Sequence, residues 1–444
     1  MEKTLAQIAA ESIVERLRAG GHEAYFAGGC VRDLLLGHAP ADFDVATSAR
    51  PERVVKLFPR TFAVGAHFGV ILVCDELDGR EIVTEVATFR SDGAYSDGRR
   101  PDSVRFSDRP EEDVVRRDFT INGMLFDPQM ERVLDFVGGR EDLKAKLVRA
   151  IGDPTQRFEE DKLRMLRGVR FAARFEFAIE PRTEAAMRAH AAQLHQVSRE
   201  RVRDELTRML TEGHARRAFE LLDRTEVLTQ VLPEIDRLHG VEQPPEFHPE
   251  GDVWTHTLML LGQLPAGASP TLAWGALLHD VGKPATFQPG PGRIRFNGHV
   301  EIGVKIAEDI CRRLRFSNEE AAQITALVEN HMRFGDVKRM KDSTLKRFFR
   351  LNDFPEHLAL HRMDCLASHG GLELYDFAKS KFEAIPTEEV RPELLLNGRD
   401  LIEAGYKPGP EFKRMLAIAE DAQLEGRIHS KQEALALIAA EKND

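Results

Sequence analysis

AGGCVRDLLLGHAPADFDVATSA, residues 27–49, packs a glycine pair, an Arg-Asp pair and two aspartates one residue apart into one short stretch. Gly28 and Gly29 suit backbone that must come close to another group. On a strand, Asp42 and Asp44 would point to one face. Two carboxylates on one face repel unless a cation lies between them, so this stretch predicts a metal site with a phosphate site beside it. The glycines would let backbone N–H groups face a triphosphate, and the planar fork of Arg32 would neutralise its oxygens.

The rest of the chain sets the frame. Its 444 residues predict roughly three or four domains. Hydrophobic residues make up 42% and charged residues 30%, the balance of a soluble globular protein. The first twenty residues read as a charged amphipathic helix rather than a signal peptide, and no apolar run approaches a membrane span. Cys30, Cys74, Cys311 and Cys365 are scattered, which fits a reduced, cytoplasmic protein with no disulfide framework. A net charge of −11 argues mildly against nucleic-acid binding. Local clusters argue the other way: Arg99–Arg100, Arg116–Arg117, Arg312–Arg313, and five arginines within 157–174. They permit a basic groove on an acidic protein.

Along the chain, FGVILVCDEL and EIVTEVATF read as β-branched strands, and SDGAYSDGRRPDSV as a polar loop. Glu85, in the second strand, offers a third carboxylate. From about 157 the pattern turns helical, with Leu163, Leu166, Val169 and Ala173 at helical spacing. PPEFHPEG, near 244, marks a linker.

Five stretches then fall in order: the opening one, RRDFTINGMLFD (116–127), DFVGGREDL (135–143), RFEEDKLRMLRGVRFAARF (157–175) and ERVRDELTRML (200–210). Together they resemble the bacterial-type (class II) tRNA nucleotidyltransferases, the CCA-adding enzymes, and their poly(A) polymerase relatives. The resemblance covers roughly the first half of the chain. It implies an α+β multidomain protein: a polymerase-β-type nucleotidyltransferase head of mixed sheet and helices, followed by all-α neck, HD and tail domains. The expected limits are 1–150, 151–245, 246–372 and 373–444. It also implies tRNA 3′ ends, CTP and ATP as partners and Mg²⁺ as the cofactor of the head. Asp42 and Asp44, with Glu85, take the catalytic metal-binding role. Gly28, Gly29, Arg32, Asp33, Arg116, Arg117, Asp118, Asn122, Asp161, Arg164, Arg167 and Arg170 take nucleotide-binding roles.

The residue pair in EEDKLR carries a physical argument of its own. Asp161 and Arg164 stand three apart, so on a helix they share a face. Cytosine and adenine both present an amino donor beside a ring-nitrogen acceptor. An Asp–Arg pair matches that edge and mismatches guanine and uracil. Such a pair standing alone would be an ordinary surface ion pair. The loop at 90–106 is present in full, whereas CC-only relatives lack or shorten it. Gly65-Ala66-His67-Phe68 has no basic pair where poly(A) polymerases carry one. CCA addition and A-only addition both remain open from sequence.

A second constellation lies downstream, in WTHTLML, LLHDVGKP, FNGHVEIG, LVENHMRF and RMDCLASH. These stretches are similar to HD-type metal-dependent phosphohydrolases. The resemblance makes His256, His279, Asp280 and Asp364 the core ligands and His299 and His331 the additional ligands of two-metal members. Mixed imidazole and carboxylate ligands suit Mn²⁺, Fe²⁺, Co²⁺, Ni²⁺ or Zn²⁺. Lys283 would contact a phosphate. A phosphohydrolase whose head merely binds RNA is the competing reading. In the tail, Lys407, Lys413 and Arg414 read as RNA-backbone contacts or as a plain charged face.

Overall fold

A computed structural model describes residues 3–93, 103–246, 248–290 and 294–441. The centre of the loop at 90–106, including Arg99 and Arg100, lies outside the described residues. The chain divides into two compact units, 1–236 and 237–444.

The first unit begins with the helix Leu5–Ala19. The Thr4 hydroxyl accepts from the Gln7 N–H at its start, and Ala9, Ala10, Ile13, Val14 and Leu17 form its buried stripe. Strands follow: β1 (Ala24–Ala27), β2 (Asp44–Thr47), β3 (Thr61–Gly65), β4 (Val70–Leu77), β5 (Arg80–Thr88), β6 (Arg90–Asp92), β7 (Val104–Phe106), β8 (Met124–Asp127) and β9 (Arg132–Asp135). Seven of them form one sheet in the order β3-β4-β5-β2-β1-β8-β9, and β6 pairs with β7 apart from it. The two expected β-branched runs are the β4–β5 hairpin. Only β2 and β5 pair in parallel within the large sheet, Val45 beside Val86. Val45, Ile71, Val73, Thr84 and Val86 are buried on the face covered by Leu5–Ala19. Alternate positions, Asp44 and Glu85 among them, lie on the other face.

Helices continue from residue 154: Pro154–Glu160, Leu163–Arg174, Pro181–His190, Arg199–Thr211, Ala215–Arg224, and two short ones ending at Asp236. Gly168 sits where Leu163–Arg174 crosses the RRDFTIN segment. A Cβ there would stand 2.8 Å from the Phe119 ring and 2.4 Å from the Met187 methyl, so only glycine allows this approach.

The second unit is helical. Val253–Leu261, Pro270–Leu278, His299–Arg313, Asn318–Asn330 and Phe354–Ala367 surround the histidines. One core gathers Phe334, Phe348, Phe349 and Phe354, and a separate one gathers Leu396, Leu401, Ala419 and Ile438 in the tail. All four cysteines are buried and free. Among the described residues no helix is long and apolar enough to cross a membrane.

Candidate active site and histidine cavity

At the end of β1 the chain turns through Gly28, whose φ of 76° excludes most side chains. A cavity of about 520 Å³ opens there. Gly28, Gly29, Arg32, Asp42, Asp44, Arg116, Arg117, Asp118, Asn122, Asp161, Arg164 and Arg167 all line it. Phe171 and Arg208 complete the wall, and sequence reasoning missed both.

Asp44 opens β2, while Asp42 precedes the strand. Asp44 keeps accessible surface within the cavity, but the surrounding walls desolvate it. Together with the charges of Glu85 and Asp42 they push its carboxyl up to about 7, against the pull of Arg117. Crowded carboxylates of this kind fit a divalent cation, which would remove their mutual repulsion. Glu85 acts on Asp44 from the neighbouring strand without lining the cavity.

The arginines are held by partners. Arg32 is 5% exposed, donates to Asn122 Oδ1 at 2.6 Å, pairs with Asp33 at 2.8 Å, and lies over the Phe175 ring at 4.4 Å. Asn122 donates to Asp118 at 3.2 Å, and Asp118 receives Arg167 at 2.7 Å. Burial alone would raise the Asp118 carboxyl. The Arg167 charge, Asn122 and the Phe119 N–H overcome that and hold it below the ordinary carboxylate range. Buried Asp113 clamps Arg116 at 2.7 Å and Arg117 at 2.9 Å. Its i,i+3 and i,i+4 spacing was the available signal.

Three expectations need correction. Asp161 and Arg164 do not stand on one helix. Pro154–Glu160 ends before Asp161, whose extended backbone (φ −145°, ψ 105°) separates it from Leu163–Arg174. Asp161 accepts from the Leu163 N–H at 3.0 Å and pairs with Arg201 at 2.7 Å. Arg164 pairs with Glu160 at 2.7 Å and donates to the Arg116 carbonyl at 3.1 Å. Both still reach the cavity, each held by partners of its own. Arg170 is not in the wall: it is buried and bonds Glu205 at 2.7 Å. Asp33 stays behind Arg32 as its counter-charge.

The second unit contains a cavity of about 650 Å³ lined by Asp280, Lys283, His299, His331 and Asp364, with His248, Arg295 and Phe296 at its walls. His256, His279 and Asp364 offer ligand atoms within 4.8 Å of one another, and so do Asp280, His299 and His331. Every imidazole is oriented from behind. Nδ1 of His279 bonds the Ala276 carbonyl at 2.8 Å, His299 the Phe296 carbonyl at 2.9 Å, and His331 the Val328 carbonyl at 2.7 Å. His256 Nδ1 bonds Glu250 at 2.8 Å. The Nε2 atoms of His299 and His331 are buried without a hydrogen-bond partner. Burial pushes the His331 imidazole down to about 4, keeping it neutral as a ligand must be. Burial opposes charge on His256, yet Asp364 and Glu250 push it up to about 9, so a metal ion there would have to displace a proton. These residues fit a metal pair with Asp280 between the two groups. Lys283 contacts Asp280 at 2.7 Å and bonds Gln243 at 2.6 Å. Glu250, missed from sequence, also receives His248 at 2.8 Å. In the tail, Lys407 and Arg414 line one groove and Lys413 another.

Three family models match the chain: the poly(A) polymerase head domain over residues 24–149, a probable RNA- and SrmB-binding site of polymerase A over 176–238, and a putative tRNA nucleotidyltransferase domain 2 over 298–439. The Geobacillus stearothermophilus CCA-adding enzyme is 32% identical over 439 residues, covering 97% of this chain and 96% of that protein. The Lactobacillus helveticus CCA-adding enzyme is 32% identical over 433 residues, covering 96% and 95%. The crystal structure of the Bacillus stearothermophilus CCA-adding enzyme in complex with CTP superposes with a TM-score of 0.76 at 27% identity, covering 99% of this chain and 98% of that one. Likeness of this extent spans the sheet, the helices that wall its cavity and the whole second unit, and the chain belongs to the family of CCA-adding enzymes.

Proposed function

We propose that this chain adds C, C and A to tRNA 3′ ends from CTP and ATP without a nucleic-acid template. The observation that carries this reading is the single cavity in which a carboxylate pair, a glycine turn and an Asp–Arg pair meet. Asp42 and Asp44 would hold Mg²⁺, with Glu85 tuning Asp44. When bound there, the metal favours ionisation of the attacking 3′-hydroxyl and neutralises the departing pyrophosphate. Gly28 and Gly29 bring backbone close to the phosphates, and Arg32 and Arg117 supply positive charge. Arg116, Asp118 and Asn122 hold the ribose, whose 2′-hydroxyl both donates and accepts. Asp161 accepts from the amino group of C or A while Arg164 donates to the ring nitrogen. Arg201 and Glu160 fix those two side chains, so the base-reading edge is built before the nucleotide arrives.

The test is extension of one tRNA transcript in two forms, ending before CCA or already ending in CC, with CTP, ATP or both. Three additions to the first and one to the second are expected. Extension of the CC-ended form alone would make the chain an A-adding enzyme, two additions followed by arrest a CC-adding one, and a long adenosine tail a poly(A) polymerase.

We also propose a second activity, metal-dependent hydrolysis of phosphate esters in the histidine cavity. The Nε2 atoms of His299 and His331, buried without a hydrogen bond and 3.9 and 3.8 Å from Asp280, support it. His256, His279, Asp280, His299, His331 and Asp364 would hold ions such as Mn²⁺, Ni²⁺, Co²⁺ or Fe²⁺, and Lys283 would meet a phosphate oxygen. A bound metal supplies hydroxide near neutral pH. Metal analysis of the purified protein, with phosphatase and phosphodiesterase assays on Asp280→Ala, tests this. Hydrolysis that survives the substitution overturns it.

A further inference from the structure

The cavity occupies one side of the catalytic carboxylates. Its wall draws on the turn after β1, on the RRDFTIN segment and on the helices from 154 onward. Among the described residues, none of β3, β4 or β5 contributes to it. In phosphoryl transfer the attacking and leaving oxygens stand roughly in line across phosphorus. With the triphosphate over Gly28 and Arg32, the attacking hydroxyl must come from the opposite side of Asp44. That side is the outer half of the same sheet face.

Register identifies what is there. Asp44 adjoins Glu85, because Val45 pairs in parallel with Val86. Glu85 pairs with Leu72, and Leu72 with Phe62. Directly opposed residues share a face, as do residues two apart on a strand, so Asp44, Glu85, Leu72, Phe62 and Val83 all lie on one side. The reverse face is buried under a helix; on this one Cys74 is buried and Leu72 half-buried, while two apolar side chains stand exposed. Phe62 is 56% exposed and Val83 is 51% exposed. The sheet thus presents an exposed aromatic ring and an exposed valine, with half-buried Leu72 between the ring and Glu85.

We propose that Phe62, Leu72 and Val83 form the seat for the terminal bases of the RNA that is being extended. An aromatic platform suits this task because every base has a π-face, so stacking tolerates the changing end of the primer. The aliphatic neighbours cover the edge of the stacked base. The inference rests on reading the adjoining cavity as the nucleotidyl-transfer site, with which the strip is continuous through Glu85 and Asp44.

The test compares wild type, Phe62→Ala and Phe62→Trp in single-nucleotide addition to a CC-ended tRNA. The KM for tRNA and the KM for ATP are measured separately, with thermal unfolding alongside. Phe62→Ala is expected to raise the KM for tRNA about five-fold or more, the size of one lost base stack, and to leave the KM for ATP and the melting temperature unchanged. Phe62→Trp should restore wild-type behaviour. An unchanged KM for tRNA overturns the inference, and a simultaneous change in oligomeric state would assign the strip to a second copy of the chain. A wild-type chain that adds no nucleotide removes the underlying reading instead, a result visible before any variant is made.

Discussion

The two cavities handle charge in opposite ways. In the first, the guanidinium groups meet carboxylates: Arg32 with Asp33, Arg116 and Arg117 with Asp113, Arg167 with Asp118, Arg164 with Glu160, Arg201 with Asp161. In the second, the imidazoles are tied at Nδ1 and their Nε2 atoms converge, two of them without a hydrogen bond. A paired network fixes the directions of donors and acceptors and therefore suits reading a base. A converging set of imidazoles and carboxylates with two unbonded Nε2 atoms is one that a bound cation completes. The difference teaches that selectivity and metal capture demand opposite degrees of internal satisfaction.

The sharpest way to break this contrast is Asp44→Ala. Nucleotide addition should fall by roughly 10³-fold or more, since several kcal/mol of metal stabilisation disappear, and phosphate-ester hydrolysis should be untouched. Parallel assays on one preparation check it, and loss of both activities would sink the idea of two independent sites. Next is Asp161→Ala combined with Arg164→Ala. The preference for CTP and ATP over GTP and UTP should shrink by about 10²-fold, for two contacts of about 1–3 kcal/mol each. Competition assays with the four nucleotides read this directly.

Glu250→Gln sharpens the second half of the contrast. It weakens the hold on His256 from behind, so Mn²⁺ or Ni²⁺ affinity should drop by about 10–100-fold. Titration calorimetry on chelator-treated protein measures it, and an unchanged affinity would mean that His256 is not a ligand. The smallest effect concerns packing rather than charge. Gly168→Ala forces a methyl against Phe119 and Met187 and should cost about 1–3 kcal/mol of stability in the first unit. Denaturant unfolding checks it, with nucleotide selectivity as a second readout.

Much of this was legible in the sequence because local rules sufficed. Runs rich in β-branched residues revealed β4 and β5, helical spacing revealed Leu163–Arg174, and the expected Asp42, Asp44, Gly28 and Gly29 do meet at one cavity. Asp161 was misread because a helix break between two helical runs leaves the periodicity nearly intact. Phe171, Arg201 and Arg208 were missed because their roles come from how helices pack, which no single window of sequence records. Glu250 escaped for a related reason: it stands six residues from the histidine it orients, beyond a helix start. Arg170 misled because five arginines in one segment look alike until burial separates them. The parallel pairing of β2 with β5 was likewise invisible, since it depends on which strands the chain brings back together.

The strand order of the sheet also dictates when the site can exist. β1 lies between β2 and β8, and Arg32 waits for Asn122, 90 residues later, to complete the cavity wall. Asp118 in turn waits for Arg167. During synthesis at about 5–20 residues per second, the ribosome releases both cavity aspartates long before their surroundings. A nascent chain cut short before β8 would leave β1, the strand next to the one that carries Asp44, as an unpaired sheet edge open to pairing with another chain.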